Sequence, residues 1–206
     1  MDIISQLVAF AIVLGSLTVH EWAHAWTADR LGDPTARLLG RVSFNPAVHV
    51  DLIGTILLPL IAIFSGLPIL GWAKPVPVNM SRLPNPKRDF MIVAAAGPIS
   101  NLVLAAAAAV VFRSLGGFAV TGELLAAQLL YMAVAINVLL AVFNLLPIPP
   151  LDGGNVLAGL LPDHMGGLLH GLRQYGFLIL YGLLFTGILR RLLDPPQDFL
   201  LRLLLL

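Results

Sequence analysis

The chain alternates between long stretches without any charged side chain and shorter connections that carry its charges. Uncharged stretches occur at residues 3–20, 52–73, 90–112, 124–151 and 174–189. A helix needs about 20 apolar residues to cross the roughly 30 Å hydrocarbon core of a bilayer. The pattern therefore predicts four membrane-spanning helices, at about 3–28, 89–112, 123–147 and 168–190.

The stretch at residues 52–70 differs from these four, because two glycines and two prolines interrupt it. Its uninterrupted part is short for a full crossing, so we expect a re-entrant or kinked element. Seven of the 12 basic residues flank it: Arg30, Arg37, Arg41, Lys74, Arg82, Lys87 and Arg88. The positive-inside rule then places both flanks in the cytoplasm and the N-terminus outside.

Two further segments favour extended backbone over helix. Residues 36–44 fit a short strand, and residues 74–80 carry prolines at alternate positions, which restricts them to an edge strand or an extended segment. The predicted fold is an all-α polytopic membrane protein with four to five transmembrane helices, a re-entrant segment and a small membrane-associated β element. We expect a single domain over residues 1–206.

Composition narrows the classes of protein that the chain can be. Of its 206 residues, 58% are hydrophobic and 11% are charged, and the mean hydropathy is +0.92. A water-soluble domain has about 25% charged residues, so this chain lacks the polar surface for one. With a net charge of +1, the chain lacks the excess of basic residues that would form a binding face for a nucleic acid. Without cysteine, any catalysis must come from histidine, acidic side chains, serine, lysine or a metal.

The first predicted helix carries the pattern HExxH, read here as His20-Glu21-Trp22-Ala23-His24. Two histidines four residues apart lie on one face of a helix and can bind one metal ion together. Glu21 is placed to hold a metal-bound water. Ionisable side chains inside a membrane helix are costly, so three of them within five residues indicate a metal site.

A zinc ion held by two histidines needs a third protein ligand. Asp152 follows a predicted spanning helix, at a point where Pro147, Pro149 and Pro150 break that helix. Broken membrane helices are typical of ligand sites. Asp152 is therefore the favoured third ligand, and His49 with Asp51, near the cytoplasmic interface, is the alternative.

Three motifs occur in order: HEWAH at 20–24, AAAGPISN at 94–101 and NLLPIPPLDGG at 144–154. Together they resemble the site-2 protease family of intramembrane zinc metalloproteases. The family pattern Asn-x-x-Pro-x-Pro-x-Leu-Asp-Gly is matched throughout from Asn144 to Gly153. The segment GWAKPVPVN at 71–79 is similar to the small prokaryotic branch, which lacks PDZ and CBS domains. That branch more often has proline where this chain has Leu52.

The resemblance implies a role for each polar residue of these motifs. His20, His24 and Asp152 would bind one zinc ion per chain, and Glu21 would be the catalytic general base. Activity would then be the hydrolysis of peptide bonds by a zinc-activated water.

The resemblance also implies where a substrate binds and what kind of molecule it is. Asn101, Asn144 and Gly97 would line the substrate cleft. The substrate partner would be a transmembrane protein or peptide, which is cut within or beside its membrane segment. The chain itself would be a multi-pass protein of the cell membrane. The lipid bilayer is the second partner, and no nucleic acid is expected. At 1.5 Å per residue along the first helix, the metal site would lie toward the cytoplasmic side.

A membrane transporter or channel with a buried ion site is the alternative function. It would also place ionisable groups and a broken helix inside the membrane. Such a protein would not lose its function through Glu21→Gln alone, so this substitution separates the two classes.

Overall fold

The computed structural model of the chain describes residues 3–58, 61, 71–119, 125–162, 171 and 173–206. Within these residues the regular structure is helical, and no strand is present. The α-helices are α1 (Ile3–Arg30), α2 (Thr35–Leu38), α3 (Pro86–Ser114), α4 (Leu125–Asn144), α5 (Asp152–Leu160), α6 (Gly176–Phe185) and α7 (Ile188–Leu205). The all-helical prediction is thus confirmed for the described residues.

Helices α1, α3 and α4 are each long and apolar enough to cross a membrane. They coincide with three of the predicted spans, and α3 packs against both α1 and α4. The fourth predicted span, residues 168–190, lies partly outside the described residues. Its described part is α6, which meets α7 at a bend of 84°. Gly187 makes this bend with a φ of 72°, a left-handed conformation that favours glycine.

The predicted β element is not found in the part of the chain that the structure describes. Residues 36–44 are not a strand, because they begin inside the helical turn α2 and continue as irregular backbone. Gly40 closes that turn with a φ of 70°, and the Arg41 N–H returns to the Ala36 carbonyl at 2.8 Å. This local hydrogen bonding satisfies the backbone without a neighbouring strand. Residues 71–79 form no ladder and stay irregular.

The segment at 52–70 begins with a π-helical turn, Leu52–Leu57. Asp51 caps this turn, since its Oδ1 accepts hydrogen bonds from the Ile53 and Gly54 N–H groups. Residues 59–60 and 62–70 lie outside the described residues. The re-entrant path predicted for 52–70 therefore stays a prediction.

The break between α4 and α5 allows two pieces of backbone to lie close together. Helix α4 ends at Asn144, and α5 begins at Asp152 after the proline-rich stretch. A Cβ at Gly153 would overlap the carbonyl groups of Leu145 and Leu146. Glycine is thus required for the first turn of α5, which carries Asp152, to lie against the backbone that follows α4.

The apolar core lies where α3, α4 and α7 meet. Its buried residues are Ala105, Ala109, Phe112, Ala127, Val134, Val138, Val142 and Leu205. Leucines of α7 pack against this cluster from one side. Small residues on α3 let the helix backbones approach closely, as is usual for helices that pack inside a membrane.

Candidate metal centre

The HExxH turn places two imidazoles on one face of α1. The rings of His20 and His24 lie edge to face with centroids 4.6 Å apart, and both residues are buried. Their Nε2 atoms are separated by 3.0 Å. The four-residue spacing on a helix thus produces the convergence that the sequence predicts.

Asp152 joins the two histidines from the first turn of α5. Its Oδ2 lies 3.0 Å from the His20 Nε2 atom and 3.3 Å from the His24 Nε2 atom. The chain separates these residues by more than 120 positions, and they come together because α5 packs against α3, which in turn packs against α1. His20, His24 and Asp152 are the group within the described residues that can hold a metal ion.

The hydrogen bonds of the other ring nitrogens indicate which nitrogen of each histidine is protonated. His20 Nδ1 lies 2.6 Å from Asn101 Oδ1, and His24 Nδ1 lies 2.7 Å from the Val93 carbonyl oxygen. An oxygen acceptor at each Nδ1 requires that Nδ1 carries the proton. In a neutral ring, each Nε2 then presents a lone pair. Two such lone pairs and a carboxylate oxygen converge on one point, which is unfavourable unless a metal ion or an added proton lies between them.

The orientation of Asn101 is fixed by its own amide group. Its Nδ2 donates to Asn137 Oδ1 at 2.9 Å and to the Ser16 carbonyl oxygen at 3.4 Å, which leaves Oδ1 for His20. Asn101 is fully buried and Asn137 nearly so. Sequence reasoning missed Asn137, although an amide within an otherwise uncharged helix was a usable signal.

Gly97 lies against the two imidazoles. A Cβ at this position would overlap both His20 Nε2 and His24 Nε2. Glycine at 97 thus lets the α3 backbone approach the metal centre. This steric role was not predicted from the sequence, which assigned Gly97 to substrate binding.

Asn144, the third residue predicted to contact substrate, lies apart from this network. Its Nδ2 donates to the Leu140 carbonyl oxygen of its own helix at 2.9 Å, and it is half-buried. The structure therefore joins Asn101 and Gly97 to the histidines but leaves Asn144 at the end of α4.

Glu21 is buried beside the histidines, and its charge also acts on the guanidinium of Arg41. Burial lowers the pKa of Arg41, and the negative charge of Glu21 partly opposes that shift. Phe44 stacks on Trp22 with ring centroids 4.7 Å apart. The loop after α2 thus packs on the turn of α1 that carries Glu21.

The alternative ligands, His49 and Asp51, lie elsewhere. His49 Nε2 donates to the Ser43 carbonyl oxygen at 2.8 Å, and Asp51 caps the π-helical turn. Neither belongs to the group that can hold a metal. The geometry favours Asp152 over this pair as the third ligand.

The donor set fits zinc. Two neutral imidazoles and one carboxylate are ligands that zinc takes in catalytic sites, where a fourth position stays open for water or substrate. The second nitrogen of each histidine has an oxygen acceptor, as metal-bound histidines almost always do. Among the described residues, the geometry of this group therefore supports a metal-dependent hydrolase.

Comparison with known proteins supports the same conclusion. Residues 8–185 match the model of peptidase family M50. "Putative zinc metalloprotease YwhC" of Bacillus subtilis is 35% identical over 98% of this chain and 92% of its own length. "Putative zinc metalloprotease Rip2" of Mycolicibacterium smegmatis is 32% identical over 86% of this chain and 66% of its own length. No solved structure matches the chain. The chain belongs to peptidase family M50 and is a zinc metalloendopeptidase of the site-2 type.

Proposed function

We propose that this peptidase hydrolyses peptide bonds within or beside transmembrane segments of other membrane proteins. The observation that carries this proposal is the position of the centre. His20 and His24 lie within Leu7–Arg30, a helix long and apolar enough to cross a membrane. A hydrolytic centre at that depth is suited to a substrate that is itself in the membrane.

His20, His24 and Asp152 would hold one zinc ion through the three atoms that converge in the structure. When bound, zinc supplies a Lewis acid for the scissile carbonyl and lowers the pKa of a water molecule. The chain's own residues supply the ligands and hold them in position. Asn101 and the Val93 carbonyl orient the imidazoles.

Glu21 would act as the general base. Its carboxylate accepts the proton of the attacking water and then transfers it to the amine nitrogen that leaves the cleaved peptide bond. Two facts support this role: Glu21 is buried next to His20 on α1, and it is not part of the group of described residues that can hold a metal ion. The amide of glutamine could not accept this proton.

Asn144 is the residue we retain as a direct substrate contact. It is half-buried and precedes the break that sets Asp152. Asn101 and Gly97 act instead through the histidines, since Asn101 bonds to the His20 ring and Gly97 lies against both rings.

The protein would be a multi-pass protein of the cell membrane with its centre toward the cytoplasmic side. The basic residues on both sides of the segment 52–70 favour this orientation. A fourth crossing would include α6, which is apolar throughout. The segment 52–70 would re-enter the membrane without crossing it.

The first test is Glu21→Gln. We expect the variant to keep one zinc per chain and to lose cleavage of a transmembrane test peptide. Zinc content by metal analysis and cleavage by mass spectrometry measure both properties. Substantial turnover by the variant, or loss of its zinc, would contradict the assigned role.

The second test compares two aspartates. Asp152→Ala should lose both zinc and activity, whereas Asp51→Ala should keep its zinc, because Asp51 only caps a turn. If Asp51→Ala loses zinc while Asp152→Ala retains it, the third ligand is misassigned.

A further inference from the structure

Asn137 is a buried amide in α4 that no step of the proposed hydrolysis uses. It is 3% exposed. It lies about two turns before α4 ends, in a helix that is long and apolar enough to cross a membrane. Burying an amide costs stability unless its hydrogen bonds are made. The bonds of Asn137 therefore indicate what this side chain stabilises.

Those bonds form a series that leads from the backbone of α4 to the metal centre. Asn137 Nδ2 donates to the Ala133 carbonyl oxygen at 2.9 Å, and Asn137 Oδ1 accepts from Asn101 Nδ2 at 2.9 Å. Asn101 Oδ1 then lies 2.6 Å from His20 Nδ1. The series thus joins α4, α3 and α1 in that order.

The direction of this series is fixed at its α4 end. A backbone carbonyl oxygen can only accept, so the nitrogen of Asn137 faces Ala133 and its oxygen faces Asn101. That oxygen in turn requires the nitrogen of Asn101, which also faces the Ser16 carbonyl oxygen at 3.4 Å. The bond to Asn137 is the shorter of the two. Asn137 is therefore the stronger of the two groups that orient Asn101.

The orientation of Asn101 decides where His20 carries its proton. An amide oxygen that faces Nδ1 requires a proton on Nδ1, which leaves the Nε2 lone pair for a metal. If the amide were reversed, its nitrogen would donate to Nδ1 and the ring proton would move to Nε2. Asp152 Oδ2, at 3.0 Å from Nε2, could accept that proton. Asp152 therefore does not exclude the wrong tautomer, and the Asn101 amide has to do so.

We propose that Asn137 is a positioning residue of the metal centre, which holds the Asn101 amide in the orientation that keeps His20 Nε2 free for zinc. Asn137 acts on His20 through Asn101. Helix α4 then supports the centre at two places, because Asp152 follows the break at its end. This inference rests on the proposed zinc site, since the tautomer matters for function only if His20 is a ligand.

Two substitutions at position 137 separate the hydrogen bond from the volume of the side chain. Asn137→Leu keeps a similar size but has no oxygen for Asn101. Asn137→Asp keeps that oxygen whether or not the carboxyl is charged, so it should preserve the orientation. Asn144→Leu is the matched control, because Asn144 also donates to a carbonyl one turn back in α4 but lies apart from Asn101. If Asn137→Leu does not fold, the smaller Asn137→Ala replaces it.

The proton on His20 is measured directly, in metal-free protein with isotopically labelled histidine. Nitrogen NMR spectra in detergent distinguish protonated from unprotonated ring nitrogens, and substituting each histidine in turn assigns the signals. We expect His20 Nδ1 to be protonated in the wild type and in Asn137→Asp, and to lose its proton in a measurable fraction of Asn137→Leu. His24 is the internal control, because its Nδ1 faces the Val93 carbonyl oxygen and should stay protonated in every variant.

Zinc affinity is measured separately, by titration against a competing chelator. Asn137→Leu should bind zinc about 3- to 10-fold more weakly, the effect of one lost hydrogen bond. Asn137→Asp and Asn144→Leu should not bind zinc more weakly than the wild type. In Asn101→Leu the acceptor for His20 is already gone, so adding Asn137→Leu should cause no further loss. Such non-additivity is expected of two residues that act in one series.

The outcomes separate this inference from the proposed function. Unchanged His20 signals or unchanged zinc affinity in Asn137→Leu would overturn the positioning role. Losses that add in the double variant, or a parallel change at His24, would overturn it too, because they would show a general loss of packing. The expected results in a protein whose wild-type form cleaves no membrane peptide would uphold the positioning role and overturn the proposed proteolysis.

Discussion

The two halves of α3 contact their neighbours by different means. The half from Val93 to Asn101 faces the histidines of α1 with a carbonyl oxygen, a glycine and an amide. The half from Ala105 to Phe112 packs against α4 and α7 through apolar side chains. Hydrogen bonds depend on particular atoms, whereas apolar packing depends on volume and shape. Conservative changes should therefore abolish function in the first half and only lower stability in the second.

The largest effect is expected at Gly97. In Gly97→Ala the new Cβ would overlap both imidazoles, so the rings must move apart. We expect a fall in zinc affinity of about 100-fold or more, in the upper range for changes around a metal site, together with loss of activity. Gly15→Ala on α1 is the control, because a Cβ there meets no atom within 4 Å. Normal zinc binding by Gly97→Ala would disprove the close approach.

A smaller effect is expected at Asn101. Asn101→Leu removes the acceptor for His20 Nδ1, and losing such a partner costs about 10–100-fold in metal affinity. Asn144→Leu should leave zinc affinity unchanged, because Asn144 bonds to its own helix. Zinc titration against a competing chelator measures both. Equal losses in the two variants would show that the network does not orient His20.

Substitutions in the apolar half of α3 should change the stability of the protein and leave its zinc affinity unchanged. Ala109 is buried in the core, so Ala109→Leu overpacks it at a cost of about 1–3 kcal/mol. The exposed neighbour Val110, changed to leucine, serves as the control. Thermal unfolding in detergent should show a lower Tm for Ala109→Leu only, while the folded fraction keeps its zinc affinity. A change in zinc affinity would mean that the two halves of α3 are coupled.

The smallest expected effect is a pH dependence of stability that comes from Asp33. This residue links the end of α1 to the segment 71–79. Burial alone would raise the pKa of this carboxyl, but hydrogen bonds from Thr35 and Asn79 outweigh burial and hold its pKa below its ordinary value. Because the folded pKa is the lower one, the stabilisation is complete above about pH 4 and is lost as pH falls through the folded pKa.

Asp33→Asn should therefore be less stable than the wild type at pH 7 by about 1 kcal/mol, because a neutral amide accepts the hydrogen bonds from Thr35 and Asn79 more weakly than a carboxylate does. The difference in unfolding free energy between the two proteins should shrink as the pH falls below 4. A difference that stays constant from pH 7 to pH 3 would contradict this account.

Much of the helical layout could be predicted from the sequence, because charge-free stretches of sufficient length have few alternatives in a bilayer. The convergence of His20 and His24 followed from helical spacing. Asp152 could be selected because prolines and glycines mark the break around it. The strand at 36–44 was wrong, since Gly40 allowed a local turn that satisfied the backbone first.

Other features depended on contacts between distant parts of the chain, and no local pattern shows them. The steric role of Gly97, the bond between Asn101 and Asn137, and the location of Arg41 near Glu21 all require the packed helices. A glycine within a helix reads locally only as a weak helix former.

The requirement for glycine at position 97 also limits how this enzyme can evolve. Every single-base change in a glycine codon that alters the amino acid yields a residue with a Cβ or a stop signal. The site thus has no conservative neighbour one mutation away, unlike the alanines further along the same helix. Among sequences that keep His20, Glu21, His24 and Asp152, a replacement at 97 would mark a lineage that has given up catalysis while its recognisable motifs persist.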